Sequence, residues 1–222
     1  MYKVTPLICA DMTVPKPQVF RNRGWGESAK IASVAWLIQR CGVTTLIDTS
    51  LGGTWTDPDF ATTRASLVDW KLHGNGVSDQ LAACGLALSD IDRVILTHLH
   101  IDHIASLPSF TNAEIVLSRR GWDCASAERH PWLNTYSHEV LDWIARRRDR
   151  VRMVADDEVI EGDIRLRWLG GHSPCSQAVI LPTRAGLAAF AGDVVPMKEN
   201  WKSNQPTGHY QNLREVADAY DF

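Results

Sequence analysis

Thr97-His98-Leu99-His100-Ile101-Asp102-His103 follows directly on the apolar run Arg93-Val94-Ile95-Leu96. Three imidazoles and one carboxylate therefore crowd into residues 98–103, right after a segment that reads as a short buried strand. His98 and His100 are two apart, so in extended backbone both rings project to one side and suit a single cation. Asp102 and His103 are adjacent, do not share that direction, and suit a second ion close by. Imidazole and carboxylate donors without thiolate point to Zn2+ first, with Fe2+, Mn2+ and Co2+ as the other candidates. A lone histidine on an apolar face is usually a core residue, but a cluster this dense at a strand end calls for a ligand.

The same placement recurs twice downstream. Ile164, Leu166 and Trp168 alternate with Arg165 and Arg167, the period-2 pattern of a half-buried strand, and the pair Gly170-Gly171 then leads to His172. Leu187 to Ala191 reads as the second arm of a hairpin with Ala178 to Leu181, and Gly192 then leads to Asp193. If these strands run in one direction, all the clusters meet at one edge of the sheets. His73, His130 and His138 lie in polar stretches and read as surface residues, and Cys175 reads as a buried spectator beside His172.

Elsewhere, Ser33 to Gln39 and Thr44 to Thr49 form a hairpin across Arg40-Cys41-Gly42-Val43. Ser78 to Cys84 reads as a helix stopped by Gly85, and Glu114 to Leu117 and Arg150 to Val154 read as strands. Ser118 to Ala127, Tyr136 to Arg148 and Leu213 to Ala219 read as helices, and Ile104 to Leu107 as a short one stopped by Pro108.

A length of 222 residues suits a two-layered sheet sandwich or an α/β domain, and 45% apolar residues supply its core. A net charge of −3 lacks the electrostatic footprint of a nucleic-acid binder, and the cluster Arg146-Arg147-Arg148 reads as a solvated helix end. No apolar run is long enough for a membrane span, and the N-terminal one is too short for a secretory signal, so the protein reads as cytoplasmic. Cys9, Cys41, Cys84, Cys124 and Cys175 are scattered without a Cys-x-x-Cys pair and read as buried free thiols. Most of the nine tryptophans read as core or sheet-packing residues.

Taken in order, Leu46-Ile47-Asp48-Thr49-Ser50, Thr97 to His103, Gly170-Gly171-His172-Ser173-Pro174 and Ala191-Gly192-Asp193 resemble the signature segments of the metallo-β-lactamase superfamily. Ser50 stands where that family has Gly, and Cys175 where a Gly is common. The resemblance implies an α+β four-layer αββα sandwich spanning residues 1–222 as one domain, with two divalent metal ions in a cleft at one edge. By position, His98, His100 and His172 would hold the first ion, Asp102 and His103 the second, and Asp193 would bridge them. Asp48 would brace the metal loop through hydrogen bonds. Members of the family usually add one more His from a Gly-His turn after a final strand. Here a helix precedes Tyr220-Asp221-Phe222, so the resemblance implies a domain that lacks its last C-terminal strand. His209 is the additional ligand candidate, although it precedes the last helix.

The implied activity is hydrolysis by a metal-bound hydroxide, with Asp102 orienting the water and moving protons. The segment order, and the stretch Ser118 to Arg148, look most like the N-acyl-homoserine lactone lactonases, which makes a small-molecule lactone or ester the expected partner. Many such enzymes carry a Tyr shortly after the bridging Asp. Val194-Val195-Pro196-Met197 stands there instead, leaving Tyr210 or Tyr136 to replace it. Thioester hydrolysis of the glyoxalase II kind and β-lactam hydrolysis are the alternatives, and a homodimer follows by analogy. A reading of another class is a truncated or degenerate metal-binding protein without turnover.

Overall fold

The computed structural model describes residues 1–52, 65–128 and 136–221. Strand β1 (Lys3–Pro15) runs into the one-turn helix α1 (Lys16–Val19), whose start carries Pro17, where a missing N–H costs no helical bond. β2 (Ser28–Arg40) pairs antiparallel with β1 and with β3 (Val43–Ile47). The β2–β3 turn is Cys41 at φ 51° and Gly42 at φ 82°, between the paired Arg40 and Val43. Two left-handed residues in a two-residue loop give a twist that matches the flanking strands.

β4 (Asp69–Leu72) pairs with β1 over Ala10–Thr13. α2 (Val77–Ala83) is followed by Gly85 at φ 76° and leads to β5 (Arg93–Ile95). The short α3 (Ile101–Ile104) precedes β6 (Glu114–Ser118). α4 (Arg119–Ala127) and α5 (His138–Ala145), capped by the Ser118 and Ser137 hydroxyls, lead to β7 (Val151–Val154). β8 (Asp157–Ile160), β9 (Ile164–Trp168), β10 (Gln177–Thr183) and β11 (Gly186–Phe190) follow as a meander, then α6 (Lys198–Lys202) and α7 (Leu213–Tyr220).

The strands form two sheets, in the orders β4-β1-β2-β3-β5-β6-β7 and β11-β10-β9-β8. The larger sheet is antiparallel up to β3 and parallel from β3 to β7. Its neighbouring residues bury on opposite faces. Ile38, Ile47, Ile95 and Val116 meet Ile164, Leu166, Val179 and Leu181 of the smaller sheet. Leu37, Leu46, Val94 and Ile115 instead meet Leu81 of α2, Trp122 of α4 and Leu141 and Ile144 of α5. Strands buried on both faces read as unbroken apolar runs, as Arg93 to Leu96 does. On the outer side of the smaller sheet, Ala219 and Tyr220 of α7 pack with Leu169, Ala178 and Val194. The result is the four-layer αββα sandwich.

Several expectations are corrected. The helix expected at Ile104 to Leu107 instead begins at Ile101, so Asp102 and His103 lie in its first turn and Ile101 and Ile104 bury together. Pro108 enters a further 3-10 turn, Leu107–Ser109, since proline is tolerated at a helix start. All five cysteines are free, but only Cys9 and Cys175 are buried. Cys41 sits in the hairpin turn, Cys84 at a helix end and Cys124 on the outer side of α4, where nothing covers them. Among the described tryptophans Trp122 is buried and Trp36 and Trp143 pack against the core, as expected, while Trp25, Trp70 and Trp201 are exposed. His138 is exposed and His130 lies outside the described residues. His73 is half-buried, held between the Ile8 carbonyl and the Asp11 carboxylate.

Leu166 is fully buried where the two sheets meet. Leu166→Ala is expected to cost about 2–5 kcal/mol of unfolding free energy, measured by urea denaturation of the metal-free protein.

Candidate metal centre

The turns that end four strands deliver the cluster. β3 ends at Ile47 and Asp48 follows at φ 58°, a left-handed conformation that Asp tolerates. After β5 the chain leaves the sheet through Thr97, His98, Leu99 and His100 and enters α3 with Asp102 and His103. Leu99 and Ile101 are each 1% exposed, so apolar anchors alternate with the polar side chains. After β9, Gly170 (φ 63°) and Gly171 (φ 77°) turn the chain into His172. A Cβ on Gly171 would lie 2.7 Å from the Val216 nitrogen, so glycine there lets α7 press against the turn. After β11, Gly192 places Asp193 in a 3-10 turn.

Hydrogen bonds set the ring orientations. Asp48 Oδ1 accepts the Thr97 N–H at 2.7 Å, and Oδ2 accepts the Thr97 hydroxyl at 2.6 Å and His103 Nδ1–H at 2.8 Å. The one hydroxyl proton of Thr97 is thus committed, so its contact of 3.1 Å with His98 must be His98 Nδ1–H donating to Thr97 Oγ1. His172 Nδ1 lies 2.7 Å from the His209 carbonyl, which can only accept. In His98, His103 and His172 a proton therefore sits on Nδ1, which makes Nε2 the nitrogen turned toward the cluster. His100 is reversed, with Nδ1 facing His172 Nε2 at 2.9 Å.

The inward atoms converge. The ligand atoms of His98, His100 and His172 lie within 4.8 Å of one another, as do those of His98, His103 and Asp193. Asp193 Oδ1 is 3.3 Å from His103 Nε2 and its Oδ2 is 3.6 Å from His172 Nε2, so one carboxylate faces both groups. Asp102 Oδ2 lies 3.8 Å from His103 Nε2, outside both groups. His98 Nε2, the inward nitrogen of its ring, is buried without any hydrogen-bond partner; His100 Nε2, the nitrogen that does not face His172, is unpartnered as well. Unpaired buried nitrogens are costly in a folded protein, and a divalent cation is what this donor set suits.

At His98, His100 and His172 electrostatics agree with that chemistry. Burial, reinforced by the other imidazoles, holds His98 and His100 well below the usual histidine range, and burial also lowers His172. Neutral imidazole is the ligating form. For His103, burial alone would lower the pKa, but the Asp193, Asp102 and Asp48 carboxylates outweigh it and push it well up. The reciprocal holds for Asp193, which burial would raise but the imidazoles, His103 foremost, hold well below the carboxylate range. Burial raises Asp102.

The cluster opens on a cavity of about 330 Å³. His100, Asp102, His172, Asp193 and His209 line its polar end, and Met12, Val14, Val19, Ile31, Leu51 and Leu67 its apolar wall. The His209 ring is 5.1 Å from that of His172 and 5.9 Å from that of His100, but it belongs to neither ligand group. Tyr136 and Tyr210 do not line the cavity. The Tyr136 ring packs 5.8 Å from His100, and the Tyr210 hydroxyl accepts a bond from Arg21 at 3.0 Å. Residues without a sequence signal complete the site. Glu215 of α7 accepts the Gly171 N–H at 2.8 Å, and the apolar wall draws on β1, which was not anticipated as a strand. Among the described residues no helix is long and apolar enough to cross a membrane.

A family model described as the metallo-beta-lactamase superfamily matches residues 30–221. Among curated proteins, an N-acyl homoserine lactonase of Bacillus cereus is 25% identical over 127 residues, which is 57% of this chain and 47% of that protein. AttM, an N-acyl homoserine lactonase of Rhizobium radiobacter, is 25% identical over 221 residues, 90% of this chain and 82% of that protein. The match thus spans about half the length of the first of these relatives. Among solved structures, a B. thuringiensis AiiA mutant with N-decanoyl-L-homoserine bound at the active site has a TM-score of 0.82 at 17% identity, covering 99% of this chain and 86% of that one. AidC, described as a dizinc quorum-quenching lactonase in complex with a product, has a TM-score of 0.76 at 14% identity, covering 99% and 81%. At such identities these two structures establish likeness of fold.

Asp48→Asn keeps a side chain that tolerates the left-handed backbone but removes one of the two acceptor oxygens. It is expected to weaken divalent metal binding by about 10–100-fold, measured by chelator competition.

Proposed function

The chain belongs to the metallo-beta-lactamase superfamily, and from that premise we propose that it is a metal-dependent hydrolase acting on the carbonyl of a lactone or ester. The observation that carries this reading is the meeting of both ligand groups at the polar end of a cavity with an apolar wall. His98, His100 and His172 would hold one divalent ion and His103 a second, with Asp193 facing both groups and Asp102, 3.8 Å from His103 Nε2, as the further carboxylate for the second; zinc is the metal this imidazole and carboxylate set suits first. Bound there, such ions supply Lewis acidity and a lowered pKa for water. We read the chain as a single domain, because the ligand groups draw on the ends of strands from both sheets.

The protein's own groups do the rest. Thr97, Asp48 and the His209 carbonyl hold three imidazoles in their ligating tautomer. Asp102, at the polar end of the cavity, accepts a proton from the attacking water at a carboxylate oxygen and returns it to the leaving alkoxide oxygen. Addition of water to the carbonyl and loss of that alkoxide convert a lactone to its hydroxy acid. Met12, Val14 and Ile31 exclude water from the opposite wall, which favours a substrate carrying an aliphatic group on the carbonyl side. The relatives named N-acyl homoserine lactonases support a lactone of that kind.

The reading is tested with metal analysis and a panel of N-acyl homoserine lactones, simple esters, thioesters and β-lactams. Lactone turnover is expected, lost on chelation and restored by Zn2+, and His98→Ala or His172→Ala should remove metal and activity together. Turnover that survives chelation, or no turnover on any member of the panel, would sink the proposal. The second outcome together with bound metal favours a metal-binding protein without catalysis. His209 touches His172 through its backbone carbonyl, so His209→Ala is expected to leave metal content unchanged. Loss of about one equivalent would make its ring the additional ligand.

A further inference from the structure

Cys175 is 2% exposed and belongs to neither ligand group. Its Sγ lies 3.2 Å from the backbone nitrogen of Leu99, the residue between His98 and His100. Among the described residues that amide has no other acceptor. The Ser173 hydroxyl lies 3.2 Å from the same sulfur. From the far side α4 closes in, since a Cβ on Gly121 would sit 2.1 Å from the Cys175 Cβ. The thiol is thus wedged between a helix and the metal loop, three residues after His172, and it ties the His172 segment to the His98–His100 segment. A sulfur suits this place because its long bond to Cβ reaches an amide that the shorter bond of a hydroxyl would meet less closely.

We propose that Cys175 is a positioning residue of the metal centre: by accepting the Leu99 N–H, its thiol holds the step that turns His98 and His100 toward one cation, and Gly121 makes room for it. The inference rests on the metal-centre reading above. Its mechanical content is that the backbone between two ligands on one loop is anchored by a side chain from the loop that carries the third. Ligand geometry is sensitive to such anchoring, because outer contacts fix where the first contacts point.

Wild type, Cys175→Ala and Cys175→Ser are compared in three measurements: hydrogen exchange of the Leu99 amide in metal-free protein, Zn2+ affinity by competition with a chromophoric chelator, and melting temperature without metal. Alanine is expected to speed Leu99 exchange and weaken the tighter Zn2+ site by about tenfold. Serine, which keeps an acceptor, is expected to recover most of that affinity although its melting temperature falls as alanine's does. A pure packing role predicts instead that both variants lose stability while Zn2+ affinity stays within twofold of wild type, and that result overturns the proposal. Equal loss of affinity in Ala and Ser, or unchanged Leu99 exchange in Ala, overturns it too. Wild type that takes up no Zn2+ refutes the metal centre itself, an outcome separable from the Leu99 exchange read without metal. If alanine fails to fold, the serine variant alone decides, through its Leu99 exchange and its visible spectrum with Co2+, which should match wild type.

Discussion

The Asp48 carboxylate, 3% exposed, takes three hydrogen bonds, from the Thr97 amide, the Thr97 hydroxyl and His103 Nδ1. A carboxylate this deep is costly unless its lone pairs are filled, and bonds to a charged acceptor contribute about 1.5–3 kcal/mol each. The three donors come from the end of β5 and from α3, so one side chain after β3 fixes both ends of the histidine loop. The consequence travels as a chain of proton assignments. Because Thr97 gives its only hydroxyl proton to Asp48, it must accept from His98, and His98 must then turn Nε2 toward the other imidazoles. A residue outside both candidate ligand groups thereby decides which nitrogen of His98 and His103 faces the cluster.

The second sheet needs its own lock, since His172 and Asp193 arrive from β9 and β11. Gln177, 1% exposed at the start of β10, supplies it. Its backbone N–H donates to the Thr97 carbonyl at 2.9 Å and its side-chain amide to the Leu96 carbonyl at 2.8 Å. These bonds cross from the smaller sheet to the loop leaving the larger one, beside the ligands. The apolar layer between the sheets is non-directional and sets their separation, whereas these two bonds set register. α7 completes the arrangement from outside: Glu215 accepts the Gly171 N–H, and the Gly171 carbonyl accepts two amides, from Gln211 and Asn212.

What was legible in the sequence followed from local chemistry. The β2–β3 hairpin announced itself through Cys41-Gly42 between β-branched runs, and the histidine loop through its density after a buried strand. Asp48 as a brace came with the resemblance, and its three bonds agree with that role. β1 was not legible, because Pro6, Asp11 and Pro15 interrupt its apolar residues. It forms because β2 lies along its whole length, a long-range pairing that no local pattern carries. The helix start at Ile101 was missed for a related reason, as Asp102 and His103 look like loop chemistry until Ile101 and Ile104 are seen to bury together. Cys175 looked like a spectator because a hydrogen bond to an amide 76 residues away leaves no trace in sequence.

The division of labour along the chain bears on how far family likeness reaches. Every residue of the two ligand groups lies between His98 and Asp193, inside the span 30–221 that matches the superfamily. Met12, Val14 and Val19 of the apolar wall lie before residue 30, on β1 and α1. Membership therefore speaks to the reagent, a metal-competent cluster with its supporting bonds, and is silent on much of the surface that a substrate's apolar group would touch. The two parts are nevertheless mechanically joined. Gly208 and His209 donate their backbone N–H groups to the Gln18 carbonyl at 2.9 and 3.0 Å, and a Cβ on Gly208 would sit 1.6 Å from the Pro17 oxygen. The same His209 offers its carbonyl to His172 Nδ1 at 2.7 Å. A side chain that pushed the helix after β1 outward would thus pull on a ligand's hydrogen-bond partner, so the wall and the reagent are not free to vary independently.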